Sequence, residues 1–224
     1  MKIAVNTRFL IKDKIEGIGR FTYETLQCMV KAHPEHEFIF FFDRDFSSEF
    51  IFSKNVTGVK LFPPARHPLL FVWYFEWSIF NALKKHKPDV FLSCDGFLSL
   101  RTNTPQIAVI HDLAFEHYPE DVSLLVRYYY KFFFPRFAKK AKSIATVSTF
   151  SKQDIIKKYD IDANKISVIY NGASNIFKPV GPDVKQSIKT KFALGSNYFV
   201  YVGALQPRKN ISRLLQAFDQ FKTQ

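Results

Sequence analysis

The sequence predicts an α/β fold, a doubly wound parallel sheet followed by the start of a second domain built the same way. Three observations carry that expectation. Short apolar runs alternate with helical patterns along the chain. Polar and glycine residues close those runs, as at Thr7-Arg8, Ser93-Cys94-Asp95-Gly96, His111-Asp112, Ser148-Thr149 and Asn171-Gly172. After a proline-bearing stretch, a helix–strand–turn–helix pattern begins again. In doubly wound sheets ligands sit beyond the carboxyl ends of the strands, where these polar residues gather.

Each element has its own signal. Lys2–Asn6 reads as a first buried strand. A loop through Gly17 and Gly19 opens a helix in which Ile18, Phe21, Thr25, Cys28 and Met29 recur at helical spacing. Glu37–Asp43 is a second strand, and Val59–Phe62 a third, stopped by Pro63-Pro64. A long helix follows from about Pro68 to Lys85. Asp89–Ser93 and Gln106–Ile110 are the fourth and fifth strands. An aromatic helix spans roughly Val122 to Lys140, and Ser143–Val147 is the sixth strand. Ser148 to Tyr159 is helical, with Ser151-x-x-Asp154 resembling a capping box at its start. Lys165–Tyr170 reads as a strand ending in Asn171-Gly172. The expected division is a first domain over 1–172, a linker over 173–181 and the start of a second domain over 182–224. That last part reads as a helix over Pro182–Leu194, a strand over Tyr198–Val202 and a helix over Asn210–Phe221. The final helix carries an apolar stripe of Ile211, Leu214, Leu215 and Phe218.

Composition narrows the function classes. With 47% apolar and 23% charged residues in 224, the chain is globular and excludes a disordered binder. A formal net charge of +12 favours anionic partners: a phosphorylated small molecule, anionic lipid or nucleic acid. No nucleic-acid-binding signature is present, so that partner is not expected. Cys28 and Cys94 form no Cys-x-x-Cys pair, and the N-terminus turns polar too early for a signal peptide. A cytoplasmic protein is expected. The apolar run Leu69–Leu83 contains Glu76 and is too short to span a bilayer.

Four constellations can carry chemistry. Gly17-Ile-Gly19 before a helix allows close backbone approach to a phosphate or sugar oxygen, or is a plain loop. A dinucleotide fingerprint with Asp43 as its ribose acid fits poorly, since the glycines come ten residues after the first strand and Thr22 replaces the third glycine. His111-Asp112 ends a strand, where the imidazole orients a polar substrate or bonds a backbone carbonyl. No other His, Cys or carboxylate stands at a metal-ligand spacing from it, so no metal is expected. Leu124 to Phe137, with Lys139, Lys140 and Lys142, is either a helix buried on several sides or an aromatic–basic face for anionic lipid. Arg208-Lys209, in the Pro-Arg-Lys-Asn turn before the last helix, complements a diphosphate or is two solvated charges.

Together the segments GIGRFTYE (17–24), HDLAFEHYPE (111–120), ATVSTFSKQDI (145–155), VIYNGASNIFKP (168–179) and YVGALQPRKNISRLLQAF (201–218) resemble the retaining GT-B glycosyltransferases of family four. The HDL-x-F-x-x-x-P-E form is similar to mannosyltransferase-type members. The resemblance implies two Rossmann-like domains facing each other across a cleft, the first for the acceptor and the second for the nucleotide sugar. It implies that Gly17 and Gly19 line the diphosphate and reacting sugar. His111 would contact the donor sugar, and Arg208 and Lys209 would hold the diphosphate without a metal or other cofactor. By position, Arg8, Asp95, Asp112 and Ser148 are acceptor-side candidates. The implied reaction is sugar transfer, with mannose the first candidate, to a glycan or lipid-linked acceptor with retention, at the inner face of the cytoplasmic membrane. The resemblance places the Glu-x7-Glu element of the family's second domain beyond Gln224, so a full protein of ~350–400 residues and a weakly active or inactive fragment are expected. The alternative is a non-catalytic Rossmann-like domain that binds anionic ligands or a membrane.

Overall fold

The computed structural model describes residues 1–174 and 176–223. Asn175, in the expected linker, and Gln224, at the end of the expected second domain, lie outside the described residues. The chain divides into two compact units, Met1–Asn171 and Gly172–Gln224.

The first unit is a sheet of seven strands: β1 (Lys2–Asn6), β2 (Glu37–Phe42), β3 (Val56–Lys60), β4 (Val90–Ser93), β5 (Gln106–Val109), β6 (Ser143–Thr146) and β7 (Ile166–Val168). All pairings are parallel, in the order β3-β2-β1-β4-β5-β6-β7. The order reverses between β1 and β4, so the crevice of a doubly wound sheet falls at their carboxyl ends. Alternation along β2 puts Phe38, Phe40 and Phe42 on one face and Ile39 and Phe41 on the other. Helix α1 (Gly17–Ala32) covers the first face through Leu26 and Val30. The opposite face is covered by α2 (Pro68–Trp73), a π-helical turn (Tyr74–Ile79), α3 (Phe80–His86), α5 (Leu124–Lys140) and α6 (Thr149–Tyr159). Helix α4 (Ala114–His117) is a single turn between β5 and α5.

Several expectations are corrected. The buried face of α1 is Gly19, Thr22, Leu26 and Val30, rotated from the expected stripe, and Cys28 is exposed. Close approach to the loop after β1 decides this: a Cβ on Gly19 would sit 2.6 Å from the Phe9 carbonyl oxygen. Strand β3 starts and ends earlier than expected because its register is set by Phe38–Phe42 of β2, which leaves Phe62 exposed. The helix from Pro68 contains the π-helical turn, which turns the consecutive residues Tyr74, Phe75 and Glu76 inward. Strand β7 is only Ile166–Val168, an edge strand beyond which Tyr170 is exposed. The cap of α6 is Ser148, whose extended backbone lets its Oγ accept from Ser151 N at 3.0 Å; Ser151 is inside the first turn.

The second unit holds α7 (Pro182–Ala193), a short 3-10 turn (Pro207–Lys209) and α8 (Ile211–Thr223). The expected strand Tyr198–Val202 does not form: among the described residues no neighbouring strand supplies the hydrogen bonds a parallel strand requires. Phe199, Val200 and Tyr201 instead lie along α8 beside Leu214, Leu215 and Phe218, around an open apolar groove of about 500 Å³.

Burial makes a prediction about the two thiols. Cys94 is buried, and desolvation, reinforced by the Asp95 charge, pushes its thiol up to about 12. Cys28 is exposed. A thiol reagent near neutral pH should modify Cys28 alone in the native chain and both cysteines in denaturant. Equal native rates would contradict this packing.

Candidate functional site

The carboxyl ends of β1, β4 and β5 build a buried polar cluster at the crevice. Asn6 ends β1 in register with Ser93 at the end of β4. Its Nδ2 donates to Ser93 Oγ at 3.1 Å and to both carboxylate oxygens of Asp95 at 2.9 Å. Ser93 Oγ donates to Asp95 Oδ1 at 2.8 Å, and Phe97 N donates to the same oxygen at 3.1 Å. Arg8 Nε donates to Asp95 Oδ2 at 2.5 Å, with the Arg8 side chain 6% and the Asp95 side chain 3% exposed.

Aromatic rings enclose the Arg8 cation. Its guanidinium carbon lies 4.1 Å from the Phe97 ring centroid, 4.7 Å from Phe9 and 5.1 Å from Phe71. A planar, weakly hydrated guanidinium tolerates such a box, whereas an ammonium would not stack. The hydroxyls of Tyr74 and Tyr129 are buried nearby without a protein partner, and desolvation raises both phenols so that they stay neutral. Arg8 and Asp95, both acceptor-side candidates, are therefore paired to each other beneath the crevice.

His111 stands beside this cluster, half-buried at the end of β5. Its Nε2 lies 2.8 Å from the carbonyl oxygen of Cys94. A carbonyl only accepts, so Nε2 is the donor here, and in the tautomer that this bond selects Nδ1 is the nitrogen left to accept. The edge of Phe21, one turn into α1, meets the ring with centroids 4.9 Å apart. The backbone of His111 is held from the other side. Ser148 caps α6, and the Ser151 Oγ in its first turn donates to the His111 carbonyl at 3.0 Å. Ser148 thus acts on the site through Ser151.

Gly17 and Gly19 open α1, which carries no side-chain cap at its N-terminus. Gly17 has φ +37° and open space where a Cβ would stand, while Gly19 is pressed on Phe9. The first supplies a left-handed turn, the second a close approach. Asp112 is exposed, and its Oδ1 accepts from Ala114 N at 3.0 Å to start α4. It also lines a pocket of about 300 Å³ with Tyr118, Phe150 and the His117–Asp154 pair, whose Nε2 and Oδ2 are 2.7 Å apart. Asp43 is buried and held by three donors: its carboxylate accepts from Arg44 at 2.6 and 2.8 Å and from Ala65 N at 2.9 Å, which gives it a structural place at the end of β2.

Arg208 and Lys209 lie in the second unit, exposed, in the 3-10 turn that leads into α8. Arg208 Nε donates to Gln206 Oε1 at 3.1 Å, and Asn210 takes a left-handed conformation before the helix starts.

Sequence reasoning missed Asn6, Phe97 and Ser151. A polar residue closing a buried strand was the available signal for Asn6; nothing local marks Phe97, which reaches Arg8 from the loop after β4.

The model of Glycosyltransferase Family 4 matches residues 15–174, from just before α1 to just past β7. The chain belongs to glycosyltransferase family 4. Two relatives in that sense are O-antigen chain mannosyltransferases. Mannosyltransferase B of Escherichia coli is 28% identical over 93% of this chain and 58% of its own length. RfbU of Salmonella typhimurium is 30% identical over 66% of this chain and 38% of its own. The family 4 chain thus spans about half the length of the curated relatives it matches. Among solved structures, Anabaena HepE in complex with UDP-glucose superposes with a TM-score of 0.63 at 18% identity, covering 98% of this chain and 57% of that one. A glycosyltransferase from Rickettsia africae matches with a TM-score of 0.50 at 15% identity, over 88% and 50%. At these identities the likeness establishes the fold of the family 4 domain.

Proposed function

We propose that the full-length protein is a hexosyltransferase that moves mannose from a nucleotide sugar to a glycan or lipid-linked acceptor in cell-envelope polysaccharide assembly. The observation that carries this reading is the placement of His111 at the sheet crevice, with Nδ1 available to accept while Cys94 and Ser151 fix the ring and backbone. The sugar follows the names of the two O-antigen mannosyltransferase relatives. The nucleotide-sugar donor follows the UDP-glucose complex of HepE.

In this reading His111 Nδ1 accepts from a donor-sugar hydroxyl, and Gly17 with the uncapped start of α1 admits sugar or diphosphate oxygens. Arg208 and Lys209 neutralise the leaving diphosphate, an electrostatic task that asks for no metal. The acceptor hydroxyl attacks the face from which the nucleotide leaves, with retention. Arg8 and Asp95 shape the acceptor side by fixing the loops after β1 and β4. Asp112 offers its exposed carboxylate there, and Ser148 positions the His111 backbone. The protein works at the inner face of the cytoplasmic membrane. The 224-residue chain alone transfers sugar poorly, because no described residue of its second unit is buried.

The test is transfer of labelled sugar by the full-length protein from a panel of nucleoside-diphosphate sugars, mannose included, to a membrane glycolipid extract. Mannose incorporation is expected. Absence of transfer from every donor would overturn the reading.

A further inference from the structure

Among the described residues no helix is long and apolar enough to cross a membrane. The first unit nevertheless exposes a set of large apolar side chains on two adjoining helices. On α2 and the π-helical turn these are Leu69, Trp73 and Trp77; on α5 they are Leu124, Tyr128 and Phe132. The spacings i, i+4, i+8 place each set along one face of its helix. Trp73 is 58% and Tyr128 70% exposed. The helices are neighbours, abutting through the buried Phe71 and Tyr129, whose ring centroids are 5.4 Å apart.

Charge identifies what covers it. The exposed face of α5 continues past Phe132 into Arg136, Lys139 and Lys140, with Lys131 beside Tyr128. The Arg136 guanidinium lies 3.6 Å from the Phe132 ring centroid, and that of Arg101 lies 4.8 Å from Trp77. Helix α5 has no acidic residue, and the only one on the helical run from Pro68 to His86 is Glu76, buried and accepting from Leu100 N. Glu120 and Asp121 stand in the short turn before α5. Aromatic side chains flanked by long cations on an acid-free face suit the boundary of an anionic bilayer, where rings enter the headgroup layer and cations meet lipid phosphates. Protein interfaces are depleted in lysine, whereas Lys131, Lys139 and Lys140 stand exposed along this face.

The patch also has a defined relation to the site. Helices that connect parallel strands run back against them, so the first turns of α2 and α5 lie toward the carboxyl edge where His111 stands. Phe71, which meets α5, is also a wall of the Arg8 box.

We infer that the outer face of α2 and α5 is a docking surface for anionic lipid bilayer, holding the crevice beside the membrane. The inference extends the proposed function by giving a lipid-linked acceptor its source. It is tested without donor or acceptor, so failure of either leaves the other standing.

Trp73 and Trp77 are the only tryptophans among the 224 residues, so the intrinsic fluorescence of this 224-residue chain reports the patch alone. The full chain is mixed with vesicles of phosphatidylcholine containing phosphatidylglycerol. A blue-shifted emission, quenched when brominated phosphatidylcholine replaces the ordinary lipid and reversed by salt, is expected. Vesicles of phosphatidylcholine alone should bind at least about tenfold more weakly. Tyr128→Ser/Phe132→Ser and Lys131→Glu/Lys139→Glu change exposed side chains and keep both reporters. Each should weaken binding about tenfold or more, with the circular-dichroism melt unchanged. Unshifted emission, equal binding to neutral vesicles, variants that bind like the parent, or a concentration-dependent dimer in place of vesicle binding would each overturn the inference.

Discussion

Asp95→Ala should cost the chain about 3–5 kcal/mol of stability. The carboxylate is buried, pairs with the Arg8 guanidinium at 2.5 Å, and accepts from Asn6 Nδ2, Ser93 Oγ and Phe97 N. Removing it strands a cation in an aromatic box and leaves those other donors without their acceptor. Asp95→Asn keeps an acceptor oxygen but drops the charge, so its loss should fall between the parent and the alanine variant. Urea unfolding followed by circular dichroism measures both. A loss below about 1 kcal/mol for Asp95→Ala would mean that Arg8 finds water or another partner, and that the cluster does not hold the β1 and β4 loops.

Arg208→Ala and Lys209→Ala should each lower kcat of the full-length enzyme about a hundred- to a thousandfold, the scale on which a lost donor to a developing anion is felt. Both side chains are exposed in the turn that leads into α8. In the 224-residue chain neither substitution removes buried surface, so its melting temperature should hold. The charge that builds on a leaving diphosphate is larger in the transition state than in the bound donor, so kcat should fall more than KM rises. Initial-rate kinetics over a donor series separates the two parameters. Near-parent kcat in both variants would remove the cationic pair from the reaction.

The sheet was legible because its strands are short apolar runs closed by polar residues, a pattern a parallel sheet buried on both faces imposes. Lys2–Asn6 matches residue for residue, and the helices over 17–32 and 124–140 begin within two residues of expectation. Misplaced elements are those set by tertiary partners. Strand β3 follows the register of β2, and α1 turns Gly19 and Leu26 inward because Phe9 requires a Cβ-free neighbour. Tyr198–Val202 has the composition of a strand, but among the described residues of its own unit no strand stands beside it. At the site, position at a strand end was enough to single out Arg8, Asp95 and His111. It could not show that Arg8 and Asp95 neutralise each other, since that depends on aromatic residues drawn from α2 and from the loop after β4. Nor could sequence alone decide between the buried and exposed readings of the aromatic helix. The structure divides the helix: Tyr129, Phe134 and Phe137 pack in the core, while Leu124, Tyr128 and Phe132 face out.

The crevice beside His111 is the proposed place of sugar transfer. The most direct test is the initial rate of labelled-mannose transfer by full-length His111→Ala, beside its thermal melt. The imidazole is half-buried and makes one hydrogen bond, to the Cys94 carbonyl, so the fold should survive. Loss of a hydrogen bond to the donor sugar should lower the rate at least about tenfold with the melt nearly unchanged. A rate within about twofold of the parent would place the reaction elsewhere.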